Sequence, residues 1–140
     1  GINALSILTE ILPGGVRVTD CSLDVPANYA SPVAARVQMR LPNGAEANAD
    51  LDFLESGTQI WEIRVDTEEG QLVLADGGAR LTIDGAPVPT DSGPGEYARL
   101  YRRFADLIQS KASDVDASPL QIVLAALGEG GERMVERFAF

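Results

Sequence analysis

The chain has 140 residues, a length suited to a single domain, and its 45% apolar content is enough for a core without disulfides or a metal. Eleven Lys and Arg stand against 21 Asp and Glu, a formal charge of −10, and Arg102-Arg103 is the only adjacent basic pair. That balance excludes a nucleic-acid role, which needs a basic footprint to displace counterions from phosphate.

The first predicted element is a helix, INALSILTEIL, stopped by Pro13-Gly14-Gly15. Its apolar positions 2, 4, 5, 7, 8, 11 and 12 cover most of the circumference, so the pattern predicts burial on nearly all sides. Asn3, Ser6 and Glu10 form the one polar stripe. No Ser, Thr, Asp or Asn precedes Ile2 to cap the first turn. A buried, uncapped helix at residue 1 leads us to expect chain upstream of it.

Strands follow. Residues 16–25 change phase near Asp20, because Val16 and Val18 share one face while Cys21, Leu23 and Val25 share the other; a bulge is expected there. Residues 33–41 and 45–53 alternate with period two around Pro42-Asn43-Gly44. Apolar opposite apolar fixes the register, with paired residue numbers summing to 86 and Val37 opposite Ala49. The same register places Arg40 opposite Glu46 and Arg36 opposite Asp50. Pro at the first turn position and Gly at a left-handed third suit a type I turn with a bulge. Residues 60–67, 71–75 and 79–83 read as three more strands, the first with Trp61, Ile63 and Val65 on one face. Residues 86–95, with three Pro and two Gly, read as a loop.

Two helices close the pattern. In EYARLYRRFADLIQSK the stripe 97, 100, 101, 104, 107 and 108 predicts docking on the sheet, so that Phe104→Ala would cost roughly 3–5 kcal/mol. Ser118-Pro119 opens the next helix, with Leu120, Val123, Leu124 and Leu127 as its predicted buried stripe. Residues 134–140 suit a last strand. The fold class is therefore α+β: a two-layer, mostly antiparallel open sheet with helices packed on one face.

Candidate chemistry is sparse. The chain has no His, hence no imidazole base or His metal ligand, and its lone Cys21 fits a reducing compartment. No stretch approaches the roughly 18 apolar residues of a membrane span, so no membrane partner is expected. Gly77-Gly78 and Gly128–Gly131 lack the strand–turn–helix setting of a nucleotide fingerprint and read as turns. Asp114 and Asp116, two apart before a Ser-Pro start, read as helix-entry groups rather than a catalytic pair. Two residues remain: Asn3, whose amide needs partners in a buried helix, and Trp61, the only Trp.

The opening GINALSILTEILP, then QIWEIRVDTEEGQLVLADGGARLTIDG, EYARLYRRFADLI, SDVDASPLQIVLAAL and ERFAF run in order along nearly the whole chain. Together they resemble the C-terminal half of the sugar 1-dehydrogenases (D-galactose, L-arabinose) in the glucose–fructose oxidoreductase/inositol dehydrogenase (Gfo/Idh/MocA) family. The resemblance implies that residues 1–140 are a substrate-binding and oligomerisation domain. It implies an upstream Rossmann domain, absent from this chain, holding NAD or NADP. The reaction implied is transfer of hydride from the anomeric C1 of an aldose to the nicotinamide, yielding the lactone. In that family a helix-start motif carries a His that the sugar dehydrogenases replace by Asn; here this residue is Asn3. The resemblance thus makes Asn3 a catalytic and substrate-binding residue and Trp61 a substrate-binding one, with the Lys and Asp upstream and this chain inactive alone. It also implies a homodimer through the sheet and a cytoplasmic location. The rival reading is a non-catalytic sheet domain for dimerisation or ligand binding.

Overall fold

A computed structural model describes residues 2–12, 14–89 and 93–139. The expectations resting on Gly1, Pro13 and Phe140, and on residues 90–92 of the loop, lie outside the described residues. The chain divides into two units, residues 1–55 with 115–140, and residues 56–114. Both are α+β, as the alternating and helical patterns predict.

The first unit holds α1 (Ile2–Ile11), β1 (Arg17–Pro26), β2 (Ala34–Arg40), β3 (Glu46–Asp52), α3 (Ser118–Glu129) and β8 (Gly131–Val135). Its sheet has the order β3-β2-β1-β8. The β2–β3 hairpin has the predicted register, Val37 opposite Ala49 and Arg40 opposite Glu46. Leu41 N–H donates to the Ala45 carbonyl at 2.8 Å, and Gly44 takes the left-handed φ of +90° that closes the three-residue loop. Arg40 reaches Glu46 at 2.9 Å and Arg36 reaches Asp50 at 3.6 Å on the outer face. The bulge in β1 falls between Val18 and Asp20, where the phase change places it.

That bulge builds the core. Val18, Cys21 and Leu23 of β1 all face inward and are buried with Val37 and Met39 of β2, Leu5 of α1, and Ile122 and Ala126 of α3. Burial raises the Cys21 thiol pKa, with nearby Asp20 adding to the shift, so the thiol is core filling.

β8 joins as a parallel partner of β1, Leu23 beside Glu132 and Val25 beside Met134. The predicted last strand therefore starts earlier, at Gly131, and ends at Val135. Gly130 makes the helix-to-strand junction possible. A Cβ there would stand 2.5 Å from the Ala126 carbonyl oxygen and 2.8 Å from the Leu23 side chain. Arg133 of β8 then makes two hydrogen bonds to the carboxylate of Asp24 in β1, at 2.8 and 2.6 Å. Asp24 is the buried acidic residue of this unit, and the Arg133 hydrogen bonds hold its carboxyl below the usual carboxylate range.

The second unit holds β4 (Glu62–Thr67), β5 (Gly70–Ala75), β6 (Arg80–Ile83), β7 (Ala86–Val88) and α2 (Glu96–Ser110). Its strands form a separate antiparallel sheet in the order β4-β5-β6-β7. The strands thus divide between two sheets instead of one meander, because turns alone join β4 to β7 while β8 returns to β1. The predicted loop 86–95 begins as strand β7. Pro87 is tolerated there because β7 is an edge strand with one ladder to satisfy.

Three helix faces differ from expectation. In α1 only Leu5 is buried, and Ile2 and Ile11 are about half exposed, so one line of the apolar cylinder meets the core. In α3 the buried line is Pro119, Ile122 and Ala126, whereas Leu120, Leu124 and Leu127 are exposed. A helix apolar on most sides does not specify which side docks. In the stripe of α2 only Leu107 is half-buried; Tyr97, Leu100, Tyr101, Phe104 and Ile108 are exposed, Phe104 at 60%, and the sheet of its own unit does not cover them.

Two predictions follow from this packing. Met39→Ala, at a side chain only 1% exposed, is expected to cost about 2–5 kcal/mol in denaturant unfolding, and Phe104→Ala less than about 0.5 kcal/mol. The sheet-docked Phe104 of the sequence reading would give the larger figure instead. The Asp24–Arg133 clip adds a pH signature. A carboxyl with a depressed folded pKa contributes stability above its unfolded value of about 3.9, and loses it as pH falls through the folded value. The melting-temperature gap between wild type and Asp24→Asn is therefore expected to be constant near neutrality and to narrow below about pH 4.

Candidate functional site

Asn3 sits in the first turn of α1, and its side chain is exposed. It therefore does not carry the burial penalty that the apolar pattern assigns to it. Leu5, two residues on, anchors this turn in the core and fixes the direction in which α1 begins. Ser6 and Glu10 continue the exposed stripe, with Thr9 donating back to the Ser6 carbonyl at 3.0 Å. An exposed primary amide at a rigid helix start can donate and accept at once without changing charge.

Trp61 immediately precedes β4 in the second unit and is half-buried. Its carbonyl accepts a hydrogen bond from Asp76 N–H at 3.1 Å, which ties the strand start to the turn after β5. Positions 61, 63 and 65 are half-buried and 62, 64 and 66 exposed, so the predicted shared face of Trp61, Ile63 and Val65 is present. Asn3 and Trp61 belong to different units, and each is placed by its own unit's packing.

The remaining candidates are structural, as the sequence suggests. Asp114 pairs with Arg103 at 2.7 Å. Asp116 accepts from the hydroxyl and the backbone N–H of Ser118, and those two bonds lower its pKa. It therefore closes the turn that leads into α3. Among the described residues no group of His, Cys, Asp and Glu is arranged to hold a metal.

Nor do the glycine pairs fit a dinucleotide. Gly77 and Gly78 lie in a single 3-10 turn between β5 and β6 of an antiparallel sheet, and Gly128–Gly131 lead from helix to strand. A phosphate cradle needs the opposite order, a strand running into a helix N-terminus. Among the described residues these glycines offer no such cradle.

Sequence reasoning missed a groove of about 770 Å³ in the first unit. Val18, Leu41, Ile122 and Ala125 line it, with Thr9 and Gln121 among its polar residues. It lies at the other end of α1 from Asn3, so the exposed amide and the groove are separate features. No sequence signal marks it, since its walls come from four elements joined only in the fold.

No protein-family model matches the chain. Over 138 residues it is 43% identical to a galactose 1-dehydrogenase of Pseudomonas fluorescens, a match covering 99% of this chain and 45% of that protein. The crystal structure of a D-galactose-1-dehydrogenase from Rhizobium etli superposes with a TM-score of 0.92 at 43% identity, over 99% of this chain and 44% of that one. A 3-ketoreductase from Actinomadura kijaniata, solved with TDP-benzene and NADP, gives a TM-score of 0.72 at 14% identity over 96% of this chain and 47% of its own. The last shows shared fold alone. The chain spans less than half the length of these relatives, and the resemblance read from the ordered sequence blocks is borne out over its whole extent.

Proposed function

We propose that this chain is the substrate-side domain of an aldose 1-dehydrogenase, D-galactose or a similar sugar being the substrate. The observation that carries the reading is 43% identity sustained over 138 residues to a galactose 1-dehydrogenase, with a TM-score of 0.92 to a second such enzyme. The nicotinamide cofactor, NAD or NADP, is assigned to a Rossmann domain outside this chain. The acid–base Lys and Asp are assigned there too, so this chain alone is inactive.

Within that reading Asn3 positions the sugar. Its amide holds the hydroxyls next to the reacting carbon by donating to one and accepting from another, and it neither gains nor loses a proton. Trp61 is assigned to sugar binding as well, through its ring. The exposure of Asn3 and its lack of a structural burden favour this assignment over backbone capping.

In the enzyme joined to its nucleotide-binding half, Asn3→Ala is expected to lower kcat/KM by about 100-fold or more while barely moving the melting temperature. A folded Asn3→Ala enzyme with near-normal kinetics would remove the role.

Self-association is the second part of the reading, and the β4–β7 sheet favours it. Register puts Ile63, Leu74, Leu81 and Val88 in one row and Val65, Leu72 and Ile83 in the next, all on one face. None of these seven is buried, and Ile83 is 46% exposed. A two-fold contact sets like against like, which suits an apolar face and not the charged outer face of β2 and β3. Ile83→Asp is expected to shift a dimer to monomer in analytical ultracentrifugation; an unchanged sedimentation coefficient would place the contact elsewhere.

A further inference from the structure

We infer that Asn28 is the latch of a strap, residues 136–139, whose Phe138 side chain closes over an aromatic pair at one end of the first unit's sheet. The ladder between β1 and β8 runs out at Pro26 and Val135, and one more bond follows it, from Ala27 N–H to the Val135 carbonyl at 3.2 Å. Beyond that point a side chain takes over from the backbone. Asn28 Nδ2 donates to the Phe138 carbonyl at 2.7 Å, and Asn28 Oδ1 accepts from Phe138 N–H at 2.9 Å.

A primary amide carries a donor and an acceptor side by side, as a strand neighbour would, and so can seat one residue of extended chain. An ionised Asp or Glu at position 28 would offer only the acceptor. The seating is local: Glu136, Arg137 and Ala139 are exposed, and Phe138 itself is half-buried.

What Asn28 seats is a ring. Phe138 meets Tyr29 with centroids 6.3 Å apart at 62°, and Phe53 with centroids 6.2 Å apart at 69°, both edge-to-face within the favourable range. Tyr29 comes from the turn after β1 and Phe53 from the residue after β3, on either side of β2 at the same end of the sheet, so the strap spans that end. Tyr29 and Phe53 stay 47% and 70% exposed with the strap closed, so neither ring depends on it for its place in a core. The Asn28 hydrogen bonds and the Phe138 ring contacts lie outside the core cluster, so they can open while the Val37–Met39 core stays shut. Opening separates Phe138 from both rings at once. None of the residues involved is assigned to sugar or cofactor above, so the latch stands independently of the proposed function.

The test is made on the full chain, with hydrogen exchange at the Phe138 amide and trypsin cleavage after Arg137. Asn28→Ala and Phe138→Ala are each expected to speed cleavage about tenfold or more, and Asn28→Ala to speed Phe138 exchange equally, with the Val37 and Met39 amides unchanged. Asn28→Asp keeps the acceptor and loses the donor, so its rates should fall between wild type and Asn28→Ala; it also serves if the alanine variant does not fold. Wild-type rates in the Asn28 variants would overturn the latch. So would acceleration of the Val37 and Met39 amides in the same proportion, since Asn28 would then stabilise the whole unit and not the strap.

Discussion

The first unit depends on the phase change in β1. A regular strand would alternate Val18 with Cys21 and send one of them to solvent. The extra residue between Val18 and Asp20 turns Val18, Cys21 and Leu23 to the same side, where Leu5, Ile122 and Ala126 close over them. Because β1 is bonded on both edges, to β2 and to β8, that one irregularity sets the core face for three strands. It also sets where α1 begins, since Leu5 is the residue by which α1 enters the core. Asn3 is thus held at the start of a helix that packs on α3, which itself packs on β1.

Charge does secondary work with different consequences on the two edges of β1. Toward β2 and β3 the ion pairs Arg36–Asp50 and Arg40–Glu46 are solvated, and pairs of that kind contribute little beyond register. Toward β8 the Asp24 carboxylate is buried and needs its cation. Arg133 meets it with two bonds in the planar geometry that suits a guanidinium, so Lys would be a poor substitute. A parallel pair has no hairpin to hold its register, and here a part-buried, geometry-specific pair helps to fix it.

The apolar surface left uncovered is the chief physical link to function. Leu120, Leu124 and Leu127 on α3, the stripe on α2 and one face of the β4–β7 sheet remain open in a chain with an otherwise ordinary core. Monomeric soluble proteins rarely leave apolar faces of this kind bare. The chain spans under half the length of the relatives it matches, and on the proposal made above such faces are contact surfaces.

The sequence by itself determined what short-range physics controls. Period-two alternation named the strands, even-sum pairing with a Pro-Asn-Gly loop set the β2–β3 register, and the misplaced phase at Asp20 located the bulge. Asn3 and Trp61 stood out as the polar residue in an apolar helix start and as the sole indole, and the ordered blocks carried the resemblance. Only the tertiary structure decided the rest. β8 pairs with a strand more than a hundred residues away, and no local pattern encodes a partner. α3 is apolar almost all round, so its docked side is chosen by which residues fit under Leu23 and beside Gly130. The stripe of α2 announces a wish for burial but not a partner, and the exposure of Asn3 follows from which single line of α1 the core could accept. Propensity and periodicity are properties of a few consecutive residues, whereas a face is buried only when a distant surface of matching shape arrives to cover it.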